Sequence, residues 1–314
     1  MPVLDRISFR RALRNLTLAG LISLVAAASF PSGACAARRV LIVSIDGLRP
    51  DVALRAEMPA LRSLMARGSF TMYAATTDVA VTLPSHVSML TGVPPAKHGI
   101  VYNSDPKPGD LAEPSWPTLF ELAHRAGFTT AMSAGKSKFS VLAKPGTLDM
   151  SFVPSRGGTT SDSVVASIAA GWIATRRPQV LFVHLPGLDL VGHASGWGSP
   201  AQVAAAAIAD RALGKVLGAL VRAGLFDSTL VIVSADHGGA GTTHGGPDAR
   251  SHFIPWIAAG PGVRRDFDLT RAPALQVRTE DTFATAGAWL GLAIAKTVDG
   301  RAVTECFEGR VQPR

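Results

Sequence analysis

The segment RVLIVSI at residues 39–45 is a continuous apolar run that is followed at once by Asp46 and Gly47. Two later segments have the same character, QVLFVH at 179–184 and TLVIVS at 229–234. Unbroken runs rich in β-branched and aromatic residues are typical of strands that are covered on both faces, as in parallel sheets. These three segments therefore predict the central strands of one buried sheet.

Helical patterns separate the strands. Helices are predicted at residues 58–68, 117–126, 200–224 and 281–292, with a further strand at 129–134. Alternation of this kind favours an α/β fold, a three-layer α/β/α sandwich around a mostly parallel central sheet. The sequence after residue 40 contains no internal repeat or low-complexity linker, so we predict a single domain over residues 37–314.

The first 36 residues have a different composition from the rest of the chain. Four arginines precede an uncharged stretch at 16–30, and Ala34-Cys35-Ala36 supplies small residues for cleavage. This order predicts a signal peptide at residues 1–36 and a periplasmic or secreted protein. The apolar stretch is shorter than the roughly 20 residues of a membrane span, so none is expected after cleavage. A retained anchor, lipid attachment at Cys35, and twin-arginine rather than general secretory export remain open alternatives.

Composition and charge exclude several classes of protein. The 314 residues are 47% hydrophobic, which argues against disorder, and the two cysteines cannot build a disulfide framework. Of the formal charge of +8, a net +3 lies within the first 36 residues. The remaining lysines and arginines are scattered and lack interleaved aromatic residues, so no dedicated nucleic-acid partner is expected. Oligomeric state is left open.

Acidic residues follow each of the three central strands. Asp46 comes directly after the first strand, Asp189 follows the second within five residues, and Asp236 lies just beyond the third. In open α/β sheets ligands bind at the carboxyl ends of the strands, so these carboxylates are expected to converge. Because crowded carboxylates repel one another, a metal ion is the natural occupant.

Histidines accompany these carboxylates. His193 is four residues after Asp189, His237 adjoins Asp236, and His244 follows in Thr-His-Gly-Gly. Mixed carboxylate and imidazole ligands suit zinc, with manganese or iron as alternatives. Three aspartates and three histidines are enough ligands for two divalent ions.

A nucleophile candidate lies in TLPSHVSMLTG at residues 82–92. Pro84 fits the first turn of a helix and Gly92 fits its end, which would make Thr82 the N-cap. Backbone N–H groups and the positive end of the helix dipole favour a phosphate or an alkoxide at that position.

These motifs resemble the alkaline phosphatase superfamily, and specifically its nucleotide pyrophosphatase/phosphodiesterase branch. The resemblance is carried by IDGLRPD at 45–51, by TLPSH at 82–86 with Thr91-Gly92, and by HGI at 98–100. It implies an alkaline phosphatase-like fold and a two-zinc site. One ion would be held by Asp189, His193 and His244, and the other by Asp46, Asp236, His237 and the Thr82 oxygen.

The spacing of the last two histidines departs from the family pattern. Members of the branch commonly carry a long insertion between the Asp-His pair and the last histidine, whereas His237 and His244 are nearly adjacent here. His252 is an alternative last ligand, but His244 is followed by the glycine that the family motif requires. The short spacing leaves the leaving-group specificity open.

The resemblance implies an exported metal-dependent phosphoric ester hydrolase, a phosphodiesterase or nucleotide pyrophosphatase with a phosphothreonine intermediate on Thr82. Asn103 and the Leu83 N–H would bind a phosphoryl oxygen, and Lys136 and Lys138 are candidate substrate contacts. The substrate would be a small phosphate ester or diester. A phosphomonoesterase or phosphonate hydrolase is the alternative, followed by a sulfatase or a catalytically silent metal-binding protein. His86, His98 and His184 are expected to be structural, and Trp197 to be packing or part of the pocket wall.

Overall fold

The computed structural model describes residues 38–309, and within them eight strands form one sheet in the order β4-β3-β5-β1-β6-β7-β2-β8. The strands are β1 Arg39–Ile45, β2 Gly68–Ala75, β3 Thr130–Ala134, β4 Met150–Phe152, β5 Val180–Leu185, β6 Thr229–Ser234, β7 Phe253–Ala259 and β8 Phe267–Asp268. The predicted signal peptide lies outside the described residues. No helix between residues 38 and 309 has the length and apolar character needed to span a bilayer.

Helices cover both faces of this sheet. The α-helices are α1 Pro50–Arg55, α2 Pro59–Arg67, α3 Thr82–Thr91, α4 Pro95–His98, α5 Leu119–Arg125, α6 Asp162–Thr175, α7 Gly187–Ser195, α8 Pro200–Arg222, α9 Ala249–His252 and α10 Asp281–Leu290. Short 3-10 helices occupy Ser137–Leu142, Phe226–Ser228, Leu269–Arg271 and Thr304–Cys306. The helices α1, α2, α6, α7 and α8 form one contacting group, and α3, α4, α5 and α10 form another. The three-layer α/β/α prediction is confirmed.

Strand β1 lies at the centre of the sheet and is parallel to both neighbours. Ile45 is in register with Leu185 of β5, and Ser44 is in register with Ser234 of β6. The carboxyl ends of the three strands therefore coincide. The Asp46 N–H donates to the Leu185 carbonyl at 3.0 Å, which extends this alignment into the loop that follows β1.

The sheet departs from a parallel arrangement at β7, which runs antiparallel to both β6 and β2. This strand contains Pro255, which has no N–H to donate to a neighbouring strand. The register of β2 against β7 shifts between Thr71 and Ala74, so that two residues of β2 oppose Pro255. The bulge allows a proline inside the sheet.

The predicted elements compare closely with the observed ones. Strands β1 and β6 have the predicted bounds, and the predicted helices at 58–68, 200–224 and 281–292 are present with slightly shorter ends. Helix α3 is followed by Gly92 in the left-handed conformation, which agrees with the predicted helix end. The N-cap prediction is wrong by one residue, because α3 begins at Thr82 and the extended residue before it is Val81. The single-domain prediction for 37–314 stays a prediction.

Candidate metal centre and active site

The turn after β1 brings the first acidic group into place. Gly47 has φ +74°, a conformation that a residue with a side chain adopts with strain. Its N–H donates to Asp236 Oδ1 at 3.0 Å, and a Cβ at this position would lie 3.1 Å from the Asp189 Cα. The Asp46-Gly47 turn therefore needs glycine both for its conformation and for the close approach of α7.

The carboxylates of Asp46, Asp189 and Asp236 share one pattern. In each, one oxygen is hydrogen-bonded within the protein: Asp46 Oδ2, Asp189 Oδ2 and Asp236 Oδ1. The other oxygen of each is buried and has no hydrogen-bond partner among the described residues. Native proteins rarely leave buried acceptors unpaired, so these three atoms mark the place of an additional ligand.

Electrostatics indicates that this ligand is positively charged. Burial raises the pKa of Asp236 well above its ordinary value, and the nearby charge of Asp46 adds to this effect. Burial acts in the same direction on Asp46, but the Lys136 ammonium and the His184 ring outweigh it and hold the pKa of Asp46 well below its usual range. One lysine therefore does not balance three buried carboxylates.

The three candidate histidines direct the same ring atom toward the carboxylates. Their Nδ1 atoms contact backbone carbonyls, which can only accept: His193 to Thr242 at 2.9 Å, His237 to Gly238 at 2.8 Å and His244 to Ala80 at 3.0 Å. Each Nδ1 therefore carries a proton, so that in the neutral ring the lone pair lies on Nε2. A carbonyl contact of this kind is how metal-binding histidines are oriented in proteins.

Two groups of ligand atoms result. In the first, the Nε2 atoms of His193 and His244 lie 3.5 and 3.8 Å from Asp189 Oδ1. In the second, His237 Nε2 lies 3.4 Å from Asp46 Oδ1 and 3.1 Å from Asp236 Oδ2. Within the described residues, two sets of three side chains could hold a metal ion: Asp189 with His193 and His244, and Asp46 with Asp189 and His237. Asp189 belongs to both sets, whereas Asp236, which was predicted to bind the second ion, is in neither set although its Oδ2 lies near His237 Nε2. Nitrogen and carboxylate donors of this kind suit divalent metal ions.

The hydroxyl of Thr82 borders the second group. Thr82 Oγ1 lies 3.3 Å from His237 Nε2, and the residue is buried at the first position of α3. Below it, His86 Nδ1 donates to the Thr82 carbonyl at 2.7 Å, and His86 Nε2 accepts from the Ser44 hydroxyl at 2.8 Å. His86 therefore holds the start of α3 in place. Its ring is neutral, because burial lowers its pKa well below the usual value.

Asn103 reaches the same helix end. Its Oδ1 accepts from the Leu83 N–H at 2.9 Å and from Lys138 Nζ at 3.0 Å. The Leu83 N–H was predicted to bind a phosphoryl oxygen. In the structure it donates to Asn103 and so positions that side chain. Both contacts engage Oδ1, which leaves the Asn103 Nδ2 as the amide atom that can donate to a ligand.

Lys136 has a different environment from the one that the sequence suggested. Its Nζ lies 2.6 Å from both Asp46 Oδ2 and Asp189 Oδ2, and the residue is only 7% exposed. The ammonium is therefore engaged by two carboxylates, whereas a substrate contact was predicted. Lys138, two residues later, lies beside Asn103.

Sequence reasoning missed the role of His184. Its Nδ1 accepts from the Gly135 N–H at 3.2 Å, so its Nε2 carries the proton and donates to Asp46 Oδ2 at 2.8 Å. A core role was expected because the residue lies in an apolar strand. The available signal was its position next to the end of β5, at the sheet edge where the acidic residues gather.

Trp197 and His252 differ in their relation to the site. Trp197 is 7% exposed, its Nε1 donates to the Gly47 carbonyl at 3.0 Å, and its ring packs edge-on against His193. His252 Nε2 contacts the Gly246 carbonyl at 2.9 Å, and the described residues place it outside both ligand groups. The geometry therefore favours His244 over His252.

Comparison with known proteins decides the family. Residues 40–254 match the family model of type I phosphodiesterases / nucleotide pyrophosphatases. The chain belongs to this family. The resemblance inferred from the motifs is confirmed, and the matched region includes every predicted ligand.

Relatives within the phosphodiesterase family are distant. The mouse bis(5'-adenosyl)-triphosphatase enpp4 is 26% identical over 64% of this chain and 47% of its own length. The chain spans about half the length of the curated relatives it matches.

Solved structures show the same fold. Mouse ectonucleotide pyrophosphatase/phosphodiesterase 5 has a TM-score of 0.71 at 16% identity, covering 86% of this chain and 100% of that one. An inactive threonine-to-alanine variant of the mouse protein, in complex with AMP, has a TM-score of 0.67 at 16% identity, covering 82% and 96%. A 2-O GAG sulfatase has a TM-score of 0.67 at 15% identity, covering 85% and 73%.

The choice between the two candidate last ligands can be tested by metal content. We expect His244→Ala to lower the bound divalent metal by about one ion per chain, because three protein ligands are the usual minimum for a catalytic ion. His252→Ala is the matched control and should leave the metal content unchanged. Elemental analysis of both purified variants measures this. Loss of metal from His252→Ala alone would contradict the assignment.

Proposed function

We propose that this protein is an exported phosphoric ester hydrolase of the phosphodiesterase/nucleotide pyrophosphatase type, with Thr82 as its nucleophile. The observation that carries the proposal is the position of Thr82 Oγ1, 3.3 Å from His237 Nε2 and at the first residue of α3. A hydroxyl at a helix N-terminus beside metal-ligand atoms has the environment that an attacking alkoxide requires.

Two divalent ions, zinc by the chemistry of the donor atoms, complete the proposed site. Asp189, His193 and His244 would hold one, and Asp46, Asp236, His237 and the Thr82 oxygen the other. When bound, such ions stabilise negative charge on the attacking and leaving oxygens and favour ionisation of a nearby hydroxyl.

The chain's own groups carry out the remaining steps. Thr82 Oγ1 gives up its proton to solvent and forms a bond to phosphorus while the bond from phosphorus to the leaving oxygen breaks, and the leaving oxygen takes up a proton. Water then attacks phosphorus, the bond to Thr82 breaks, the Thr82 oxygen regains a proton from that water, and the product departs as a phosphate monoester when the substrate is a diester. Asn103 Nδ2 would donate to an oxygen of the phosphoryl group as its charge grows.

Support for a diester or pyrophosphate substrate comes from relatives. The mouse relative is a bis(5'-adenosyl)-triphosphatase, and the structural neighbour binds AMP. One observation favours a second candidate, a phosphomonoester or phosphonate. Lys138 Nζ lies 3.0 Å from Asn103 Oδ1, where an ammonium could meet the extra charge of a dianion.

A sulfatase is disfavoured although a sulfatase shares the fold. Related sulfatases convert a cysteine or serine to formylglycine, and Thr82 cannot undergo that change. A silent metal-binding protein is disfavoured because the nucleophile and the full ligand set are present. The proposed periplasmic or secreted location depends on the signal sequence in residues 1–36.

Replacement of Thr82 tests the nucleophile. We expect Thr82→Ala to lower kcat by at least about 10³-fold, because loss of a covalent nucleophile leaves only binding and electrostatic contributions. Thr91→Ala is the matched control: Thr91 lies in the same helix, is buried, and its hydroxyl donates to the Val87 carbonyl. Hydrolysis of bis-nitrophenyl phosphate and metal content should be measured together. Full activity in Thr82→Ala would contradict the mechanism.

Replacement of Lys138 distinguishes the substrate classes. If Lys138 meets the extra charge of a dianion, Lys138→Met should lower kcat/KM for nitrophenyl phosphate at least about fivefold more than for the diester, since such an attraction is worth about 1 kcal/mol in water. Lys296→Met, at an exposed lysine, is the control. Equal losses of kcat/KM on both substrates would show that Lys138 does not determine the choice between monoester and diester.

A further inference from the structure

Lys136 is the donor that Asp46 and Asp189 share. It contacts the Oδ2 atom of each at 2.6 Å, while the Oδ1 atoms are buried without a partner among residues 38–309. The Oδ2 of Asp46 also accepts from His184. For the Oδ2 of Asp189, Lys136 is the single donor within the described part of the chain.

The position of Lys136 is set by its backbone as well as by its charge. The residue follows β3 and forms a β-bridge with Thr159, while the neighbouring Ser137 N–H donates to the Gly158 carbonyl at 3.0 Å. With 7% of the residue exposed, its ammonium is directed into the protein and not toward solvent. The two Oδ2 atoms are therefore held by a fixed group.

We propose that Lys136 is a positioning residue that selects the metal ion, because it restricts Asp46 and Asp189 to coordination through one oxygen each. The proposal rests on the metal site of the proposed function. Asp236 is restricted in the same way by the Gly47 N–H, which occupies its Oδ1. All three carboxylates then offer a single oxygen.

Single oxygens and imidazole nitrogens favour one class of ion over another. Zinc takes about four ligands in a compact arrangement that includes nitrogen. Calcium takes roughly six to eight oxygens and often uses both oxygens of a carboxylate. A lysine that engages the second oxygen of two carboxylates therefore works against calcium more than against zinc.

The contacts also predict where the effect is concentrated. Without Lys136, Asp46 keeps the His184 donor at its Oδ2, whereas Asp189 loses its donor and can offer two oxygens. The site formed by Asp189, His193 and His244 should therefore lose its preference for zinc over calcium before the other site does.

The test compares Zn²⁺ and Ca²⁺ affinities of the purified protein and of Lys136→Met, by competition with chelators. Loss of a positive charge strengthens binding of both divalent ions, so the ratio of the two affinities isolates the change in coordination. We expect the zinc-to-calcium ratio to fall at least about tenfold, at the lower end of what groups behind metal ligands contribute. Lys138→Met is the control, because it removes a nearby positive charge that does not contact a metal-binding side chain. Its zinc-to-calcium affinity ratio should equal that of the unaltered protein.

A second variant and a spectroscopic measurement keep the inference testable if Lys136→Met does not fold. Lys136→Gln can donate to one carboxylate but not hold both, and its ratio should also fall. With Co²⁺ bound, the intense visible absorption of four-coordinate cobalt should weaken in either variant as Asp189 contributes a second oxygen.

An unchanged ratio in the folded variants would overturn the inference, and so would an equal fall in Lys138→Met, which would assign the effect to charge alone. The proposed function fails separately. If the protein hydrolyses no phosphate ester but its ratio falls on loss of Lys136, the selectivity inference stands and the function does not.

Discussion

Mutual repulsion among three buried carboxylates is the constraint on which the site depends. Asp46, Asp189 and Asp236 are almost fully removed from solvent, where charge is costly and like charges interact strongly. The protein supplies part of the compensation through Lys136, His184 and the Gly47 N–H. In each carboxylate these groups engage one oxygen, and the other oxygen faces a histidine Nε2. The negative charge of the three carboxylates is therefore only partly balanced, and the nitrogen and oxygen lone pairs around it can coordinate a cation.

The fold meets this constraint by ending β5, β1 and β6 in register. Side chains that follow the three strands then come together with no long loop to order. Helix α3 begins at the same edge, so its N-terminus and the Thr82 hydroxyl face the carboxylates. Glycine at position 47 is required because a Cβ there would lie 3.1 Å from the Asp189 Cα.

The sequence predicted those parts of the molecule that depend on local pattern. Strands β1 and β6 were located because buried parallel strands are continuously apolar, and the acidic residues were located because they follow such strands. Strand β2, with glycine, serine and threonine among its residues, and β7, with Pro255, do not show that pattern. Their pairing depends on a bulge that only the assembled sheet reveals.

The supporting groups of the site could not be predicted in the same way. Lys136 and His184 contact a carboxylate that is 90 and 138 residues away in the chain, and no spacing rule links such partners. Lys136 was instead named as a candidate substrate contact, because an ammonium after this strand can reach the extra negative charge of a substrate. Its engagement by two carboxylates is a consequence of tertiary packing.

The central claim is that the unpaired buried oxygens and the three Nε2 atoms define two metal positions. Crystals of the protein prepared with zinc and measured at the zinc absorption edge test it most directly. The account predicts two anomalous peaks, one about 2.0–2.2 Å from Asp189 Oδ1 and the Nε2 atoms of His193 and His244, and one at the same distance from Asp46 Oδ1, Asp236 Oδ2 and His237 Nε2. Zinc bound through the Oδ2 atoms that Lys136 holds, or no peak at either position, would contradict it.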